Sequence, residues 1–340
     1  MRVEKLIVVT QEVDPASPVL GATVAKLRAL AARVDELVVL ADRAVPETLP
    51  ENCRVHLFGS RRKAGRGLRF EVALARELRP RPAGVVAHMC PIYAVLAAPV
   101  ARPLGIRVVL WFTHWRASRL LRLAERVSTS VATVEPRSFP IPSAKVHAIG
   151  HGIDVAGFHC ADRTARDGLQ LLSLARTSPA KGLETVVRAV ALVPGVRLAQ
   201  HGPSLTEEER RHRGELESLV AELGVADRVG IGNPVPQGAV PALLGGADAL
   251  VNNMRAGATD KAVYEAAAAC LPVLASNPAL DGFLPAGLRF ERDDPESLAV
   301  RLRELATADR SALGRQLRAR VEREHSVENW ADRIVGLARG

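Results

Sequence analysis

Short, continuously apolar runs recur along the chain, and between them apolar positions return with helical spacing. In the first half the runs are Leu6–Val9, Leu37–Leu40, Val85–Ala87, Val108–Phe112 and Val131–Val134, with helical stretches over Leu20–Val34, Leu68–Leu78 and Ile92–Ala101. A second series begins at Leu169, with runs Leu171–Ala175, Val196–Gln200, Val229–Gly232, Ala249–Asn252 and Val273–Ala275. Its helices are expected over Leu183–Leu192, Glu207–Leu223, Lys261–Ala269, Pro295–Ala306 and Arg310–Glu324. Strands that are apolar throughout, and do not alternate, predict parallel sheets covered by helices on both faces. Two such series predict an α/β chain of two Rossmann-like, doubly wound domains. The glycine- and charge-rich stretch from Gly150 to Gly168 divides them, giving domains over 1–155 and 168–324. The segment 325–340 forms a last helix, Val327–Ala338, with Trp330, Ile334 and Leu337 on one face. It either returns to the first domain or packs locally.

Composition narrows the class. With 340 residues, 48% of them hydrophobic, the chain has apolar material for two cores of roughly 150 residues each. No apolar run reaches the roughly 20 residues of a membrane span, and Met1–Thr10 reads as a first strand, not a signal peptide. Cys53, Cys90, Cys160 and Cys270 show no C-x-x-C pair and no close histidine, so they read as reduced thiols in a cytoplasmic protein. The net charge of +9 is carried by arginine, with only six lysines. Solvated arginine-rich faces explain most of it. A peripheral contact with anionic lipid on the inner face of the membrane is the next reading. Nucleic acid is disfavoured, because 7 Phe, 2 Tyr and 3 Trp leave few aromatics for base stacking.

Three segments carry candidate chemistry. Arg176-Thr-Ser-Pro-Ala-Lys181-Gly182 follows a strand and opens a helix, placing two cations and backbone N–H groups where a phosphate or pyrophosphate is favoured. An ordinary strand–helix turn with solvated cations is the plain alternative. The second, Gly257-Ala-Thr259-Asp260-Lys261-Ala262-Val263-Tyr-Glu265, has small residues for close ligand approach and Thr259 or Asp260 as a helix cap. Glu265 lies in an Ala-rich run, where a carboxylate needs hydrogen-bonding partners: ribose hydroxyls, or a structural salt bridge. The third is a pair of strand-end histidines, His88 and His114, at the edge where open α/β sheets bind ligands; either can equally be structural.

Together these segments resemble the family 4 retaining glycosyltransferases (glycosyl transferases group 1). The resemblance is carried by Gly150-His-Gly-Ile-Asp154 with Phe158, Arg176…Lys181-Gly182, Gly202-Pro203, Ala247-Asp248, and Glu265-Ala266 with Pro272-Val273. At the N-terminus Gln11-Glu-Val-Asp14, Pro18-Val-Leu-Gly21, His88-Met-Cys-Pro-Ile-Tyr93 and Trp111-Phe-Thr-His114 extend it. It implies the GT-B fold, two Rossmann-like domains with an interdomain cleft, an acceptor side first and a nucleotide-sugar donor side second. It further implies a metal-independent hexosyltransferase that takes a nucleoside diphosphate sugar and a saccharide, lipid-linked or small-molecule hydroxyl acceptor, with no cofactor. By residue, it gives Arg176 and Lys181 to the diphosphate and the leaving group, Glu265 to the ribose, and Gly257 with Thr259–Val263 to the sugar and phosphates. Gly21 would face the diphosphate and His114 the sugar, with Asp14 and His88 on the acceptor side. Domain closure over the donor would exclude water, and the leaving phosphate would help take the acceptor proton. One departure stands out: the family's first glutamate, eight positions before the ribose-binding one, is Gly257 here. That keeps alive a catalytically silent nucleotide-sugar-binding scaffold, beside other GT-B enzymes such as a sugar-nucleotide epimerase or a phosphorylase. A dinucleotide oxidoreductase is disfavoured by the lack of G-x-G-x-x-G after the first strand.

Overall fold

The computed structural model describes residues 4–17, 20–161 and 168–340. Pro18, Val19 and the polar stretch 162–167, all used above, lie outside them, as do residues 1–3. The chain divides into two compact units: Met1–Asp154 with Glu324–Gly340, and Val155–Arg323.

The first unit runs β1 (Lys5–Val13), α1 (Thr23–Ala31), β2 (Glu36–Ala44), β3 (Cys53–Leu57), α2 (Lys63–Glu77), β4 (Gly84–His88), α3 (Pro91–Ala101), β5 (Arg107–Trp111), α4 (Arg119–Val127), β6 (Ser130–Thr133) and β7 (Val146–Ala148). Its seven strands are ordered β3-β2-β1-β4-β5-β6-β7 and pair in parallel. Central strands β1, β2 and β4 are buried on both faces (Leu6, Ile7, Val38, Leu40 and Val85 among them), as unbroken apolar runs require.

The second unit runs β8 (Leu169–Leu174), α5 (Leu183–Leu192), β9 (Val196–His201), α6 (Glu207–Glu222), β10 (Val229–Gly232), α7 (Val240–Gly246), β11 (Ala249–Asn252), α8 (Lys261–Ala268), β12 (Val273–Ala275), α9 (Pro295–Thr307) and α10 (Arg310–Glu324). Its five strands are also parallel, ordered β10-β9-β8-β11-β12. In both sheets the order reverses beside the first strand, which opens a crevice at the strand C-termini.

The last helix, α11 (Val327–Arg339), belongs to the first unit and packs on α1, β4 and β5. Trp330 is buried against Trp111, ring centroids 5.6 Å apart. The Lys26 ammonium lies 4.8 Å from the Trp111 ring and 5.1 Å from the Trp330 ring, so a buried cation is held between two aromatic faces. The Gly150–Asp154 segment zips this helix in place. Gly152 and Ile153 N–H donate to His325 O, and Val327 N–H donates to Ile153 O. A Cβ at Gly150, where φ is +80°, would sit 2.1 Å from Glu324 O, so only glycine fits. In the described fold this family-like motif is a structural clasp.

The thiol expectation needs correction. Cys160 and Cys270, 110 residues apart, form a disulfide with Cα atoms 5.0 Å apart, while Cys53 and Cys90 are free. Spacing along the chain hides such a contact. Arg318 on α10 bridges the two cysteine segments, its guanidinium donating to both Phe158 O and Ala268 O.

Candidate functional site

The candidate residues of the second unit converge where β8 and β11 end. After β8 the chain makes a short turn, Pro179–Lys181, with the Ser178 hydroxyl accepting from Ala180 N–H. Gly182 follows at φ +54°, and a Cβ there would meet the Asn253 side-chain nitrogen at 2.3 Å. Asn253, past the end of β11, donates to Gly182 O at 2.9 Å, and Arg255 N–H donates to Ala180 O at 3.0 Å. The two strand-end loops are therefore tied together, and Lys181 is carried across to the start of α8.

There it meets Asp260. The ammonium contacts both carboxylate oxygens, at 2.6 and 2.7 Å, and Asn252 donates to the same carboxylate at 2.7 Å. Asp260 occupies the N-cap position of α8 in extended conformation, yet its side chain makes no capping hydrogen bond. This overturns the capping expectation: its carboxylate is engaged by Lys181 and Asn252. Thr259 does not cap either; it is buried, with Tyr264 OH donating to its hydroxyl at 3.2 Å.

A second cluster lies one turn along α8. Glu265 is buried; its Oε1 is 2.9 Å from Lys261 Nζ and accepts from Gln237 Nε2 at 2.7 Å, while Lys261 donates to Gln237 Oε1 at 2.6 Å. The carboxylate among alanines thus has a salt bridge, and both bonds fall on one of its oxygens. Arg176 is turned toward α6, 2.8 Å from Glu209 Oε1, with its side chain about half exposed (45%). Gly257, at φ +115°, has a backbone no other residue adopts easily. Ala262 and Val263 are buried with the core, so it is their backbone, at the start of α8, that borders the cluster.

Sequence reasoning missed Gln237, Glu209 and Asn252 as partners. Gln237 sits in a short turn after β10 with nothing around it to mark it, and Glu209 is one of three glutamates opening α6.

Of the first-unit candidates, Asp14 and Gly21 are linked through Ser17, whose N–H donates to Asp14 O at 3.1 Å. Gly21 is buried where α1 begins, its N–H donating to Ser17 O at 3.1 Å. Asp14 accepts from Ala16 N–H at 2.8 Å and lines a surface pocket with Gln11, Ser17 and Arg43. His114 follows β5, accepts from Arg116 N–H on Nδ1 at 3.0 Å and stacks on Trp115.

His88 is not at an open strand end. It is 5% exposed, its ring 6.4 Å from that of Trp330 and Nδ1 3.4 Å from the Thr10 hydroxyl. Desolvation, then the charge of Lys26, holds its imidazole well below the ordinary 6.5. An unfolded chain takes a proton there as pH falls below about 6.5 and the folded site does not, so this contribution to stability is full above that pH and is lost below it. Between pH 7.5 and 5.5, His88→Asn is expected to show a shallower fall in Tm than the parent. Parallel melting profiles would mean that His88 titrates freely.

Residues 162–316 match the profile of the family described as glycosyl transferases group 1. No curated protein matches the chain in sequence. Among solved structures, sucrose-phosphate synthase from Thermosynechococcus elongatus is similar with TM-score 0.77 at 19% identity, over 99% of this chain and 98% of that one. HepE of Anabaena, solved with UDP and glucose, gives 0.78 at 15% identity over 98% of both chains. A glycosyltransferase from Rickettsia africae ESF-5 gives 0.79 at 13% over 100% and 98%. At such identities the matches establish the two-sheet GT-B fold along the whole chain. The chain therefore has the GT-B fold, and residues 162–316, most of its second unit, carry the profile described as glycosyl transferases group 1.

Proposed function

We propose that this chain is a glycosyltransferase that moves a hexose-like unit from a nucleoside diphosphate sugar to a hydroxyl acceptor with retention of anomeric configuration, without a metal. The observation that carries the reading is the meeting of Lys181, Asp260, Lys261 and Glu265 at the start of α8, at the C-terminal edge of the second sheet. The donor diphosphate is held by Lys181 and Arg176, and its charge displaces Asp260 from Lys181. Glu265 has one carboxylate oxygen, Oε2, that takes no hydrogen bond from the described residues, and ribose hydroxyls donate to it. As the bond from the anomeric carbon to the phosphate oxygen breaks, negative charge grows on that phosphate beside Lys181 and Arg176, which stabilise it. The same phosphate oxygen accepts the acceptor's hydroxyl proton while the new carbon–oxygen bond forms on the same face. The role of His114 toward the sugar rests on the family resemblance, and His114→Ala tests it.

Since HepE was solved with UDP and glucose, UDP-glucose is the first donor to try, followed by other bases and sugars. Product formed in excess EDTA, with the donor's anomeric configuration by NMR, supports the proposal. Inverted product contradicts the mechanism, and donor binding without transfer to any acceptor class supports the silent-scaffold alternative that Gly257 leaves open.

A further inference from the structure

The positive charge of this chain is concentrated in one segment, which holds three successive helices. Residues 61–127, spanning α2, α3 and α4, contain fourteen Arg and Lys against three Glu, a net +11, more than the +9 of the whole chain. The rest is therefore slightly acidic, at −2. The three acids do not offset the surface. Glu77 is buried in an ion pair with Lys5, Glu71 is half-buried, and Glu125 is engaged by the Ser143 hydroxyl at 2.6 Å.

The three helices adjoin in order, α2 on α3 and α3 on α4. The outward positions of α4 are Arg119, Leu120, Arg122, Leu123 and Arg126, at spacing one, three, four and seven, so one helical face is exposed and consists of arginine and leucine only. None of these arginines pairs with a carboxylate among the described residues. The outward positions of α2 repeat the composition with Leu68, Arg69, Val72 and Arg76, and Ile92 stands exposed at the start of α3. Leu68 is 68% exposed and Leu123 45%, and on α4 the exposed Leu120 and Leu123 stand among three arginines. A solubilising cationic face needs no exposed leucine, and a protein-binding groove would not need so many like charges.

We infer that the α2–α3–α4 face is a docking surface for an anionic lipid bilayer. Its leucines and isoleucine enter the headgroup–acyl boundary while the arginines extend to the phosphates, their stems covering apolar surface. Charge complementarity selects the partner: a negative surface potential attracts each nearby cation, at about fivefold in affinity per charge. Single-stranded nucleic acid offers the same charge but asks for exposed aromatic platforms. The aromatics of these helices, Phe70 and Tyr93, are buried. This surface is independent of the proposed donor chemistry, so either can fail alone.

The test is sedimentation of the full chain with vesicles of phosphatidylcholine alone or with about one third phosphatidylglycerol. Two variants are compared, Leu120→Ser with Leu123→Ser, and Arg119→Gln with Arg122→Gln and Arg126→Gln; the replaced side chains are exposed, and unchanged melting shows that both variants fold. The expected result is binding at least tenfold tighter to the anionic vesicles, lowered roughly 100-fold by the arginine variant. The leucine variant is expected to lose the binding that survives high salt. Equal affinity for both vesicle types overturns the inference, as does undiminished vesicle binding in both variants. Tight binding of single-stranded RNA, with vesicle binding unaffected by the leucine variant, assigns the face to nucleic acid instead.

Discussion

Lys181→Ala is expected to lower kcat/KM for the nucleotide-sugar donor about 10³-fold, through weaker donor binding and lower kcat together. Removing one fixed positive group from the place where transition-state charge develops costs ~2.7–4 kcal/mol, and an interaction strengthened in the transition state is read in kcat. In this chain the loss has a second source. With Lys181 gone, the Asp260 carboxylate keeps its hydrogen bond from Asn252 and is left unneutralised against the incoming diphosphate. Asp260→Asn in the Lys181→Ala background is therefore expected to recover roughly tenfold, a coupling of about 1.4 kcal/mol. Steady-state kinetics of the four proteins form the cycle. Additive effects would mean that Asp260 does not face the phosphates.

The second large effect is on stability. Trp330→Ala should destabilise the first unit by about 3–5 kcal/mol, within the range for emptying a large aromatic site in a core. That is a sizeable share of the ~5–15 kcal/mol typical of a domain. Trp330 is 1% exposed, and its ring is one of the two faces that hold the Lys26 ammonium. Its loss both opens a cavity and removes a cation's partner, which favours the upper end. Arg333→Ala, on the exposed side of the same helix, is expected to stay within about 0.5 kcal/mol. Urea unfolding of both variants gives the comparison. A Trp330→Ala loss below 1 kcal/mol would mean that α11 is an appendage and not part of the core.

Both effects trace to features with different visibility in the sequence. Where a helix or strand buries a continuous apolar face, pattern and structure agree closely: Leu183–Leu192, Val229–Gly232, Ala249–Asn252, Val273–Ala275 and Arg310–Glu324 coincide with α5, β10, β11, β12 and α10. Edge strands β3 and β7 escaped notice because their residues are mostly half-buried or exposed, which leaves no apolar run to read. Helix α7 was hidden by Pro241 and two closing glycines, and α4 by exposed leucines that blur its buried stripe.

The candidate site was legible as residue types and only partly as contacts. Lys181, Asp260, Lys261 and Glu265 stand out by chemistry in a chain poor in lysine, but the ion pair across 79 residues that joins Lys181 to Asp260 is a product of strand order. The Gly150–Asp154 motif, read in the sequence as part of the divide between the domains and of the family resemblance, clasps α11, because two glycines with positive φ let the chain pass close to Glu324 and Trp330. The Cys160–Cys270 bond was invisible for the same reason as the ion pair: tertiary proximity leaves no trace in local spacing.

The most direct test of the donor site is the thermal stability of the purified chain against a panel of nucleoside diphosphates and their sugars. A bound ligand at about 100 times its Kd adds roughly 2.7 kcal/mol. The account predicts a clear rise in Tm with one diphosphate base, lost in Lys181→Ala and weakened in Glu265→Ala. No rise with any nucleotide in the folded parent, or the same rise in Lys181→Ala, would contradict it.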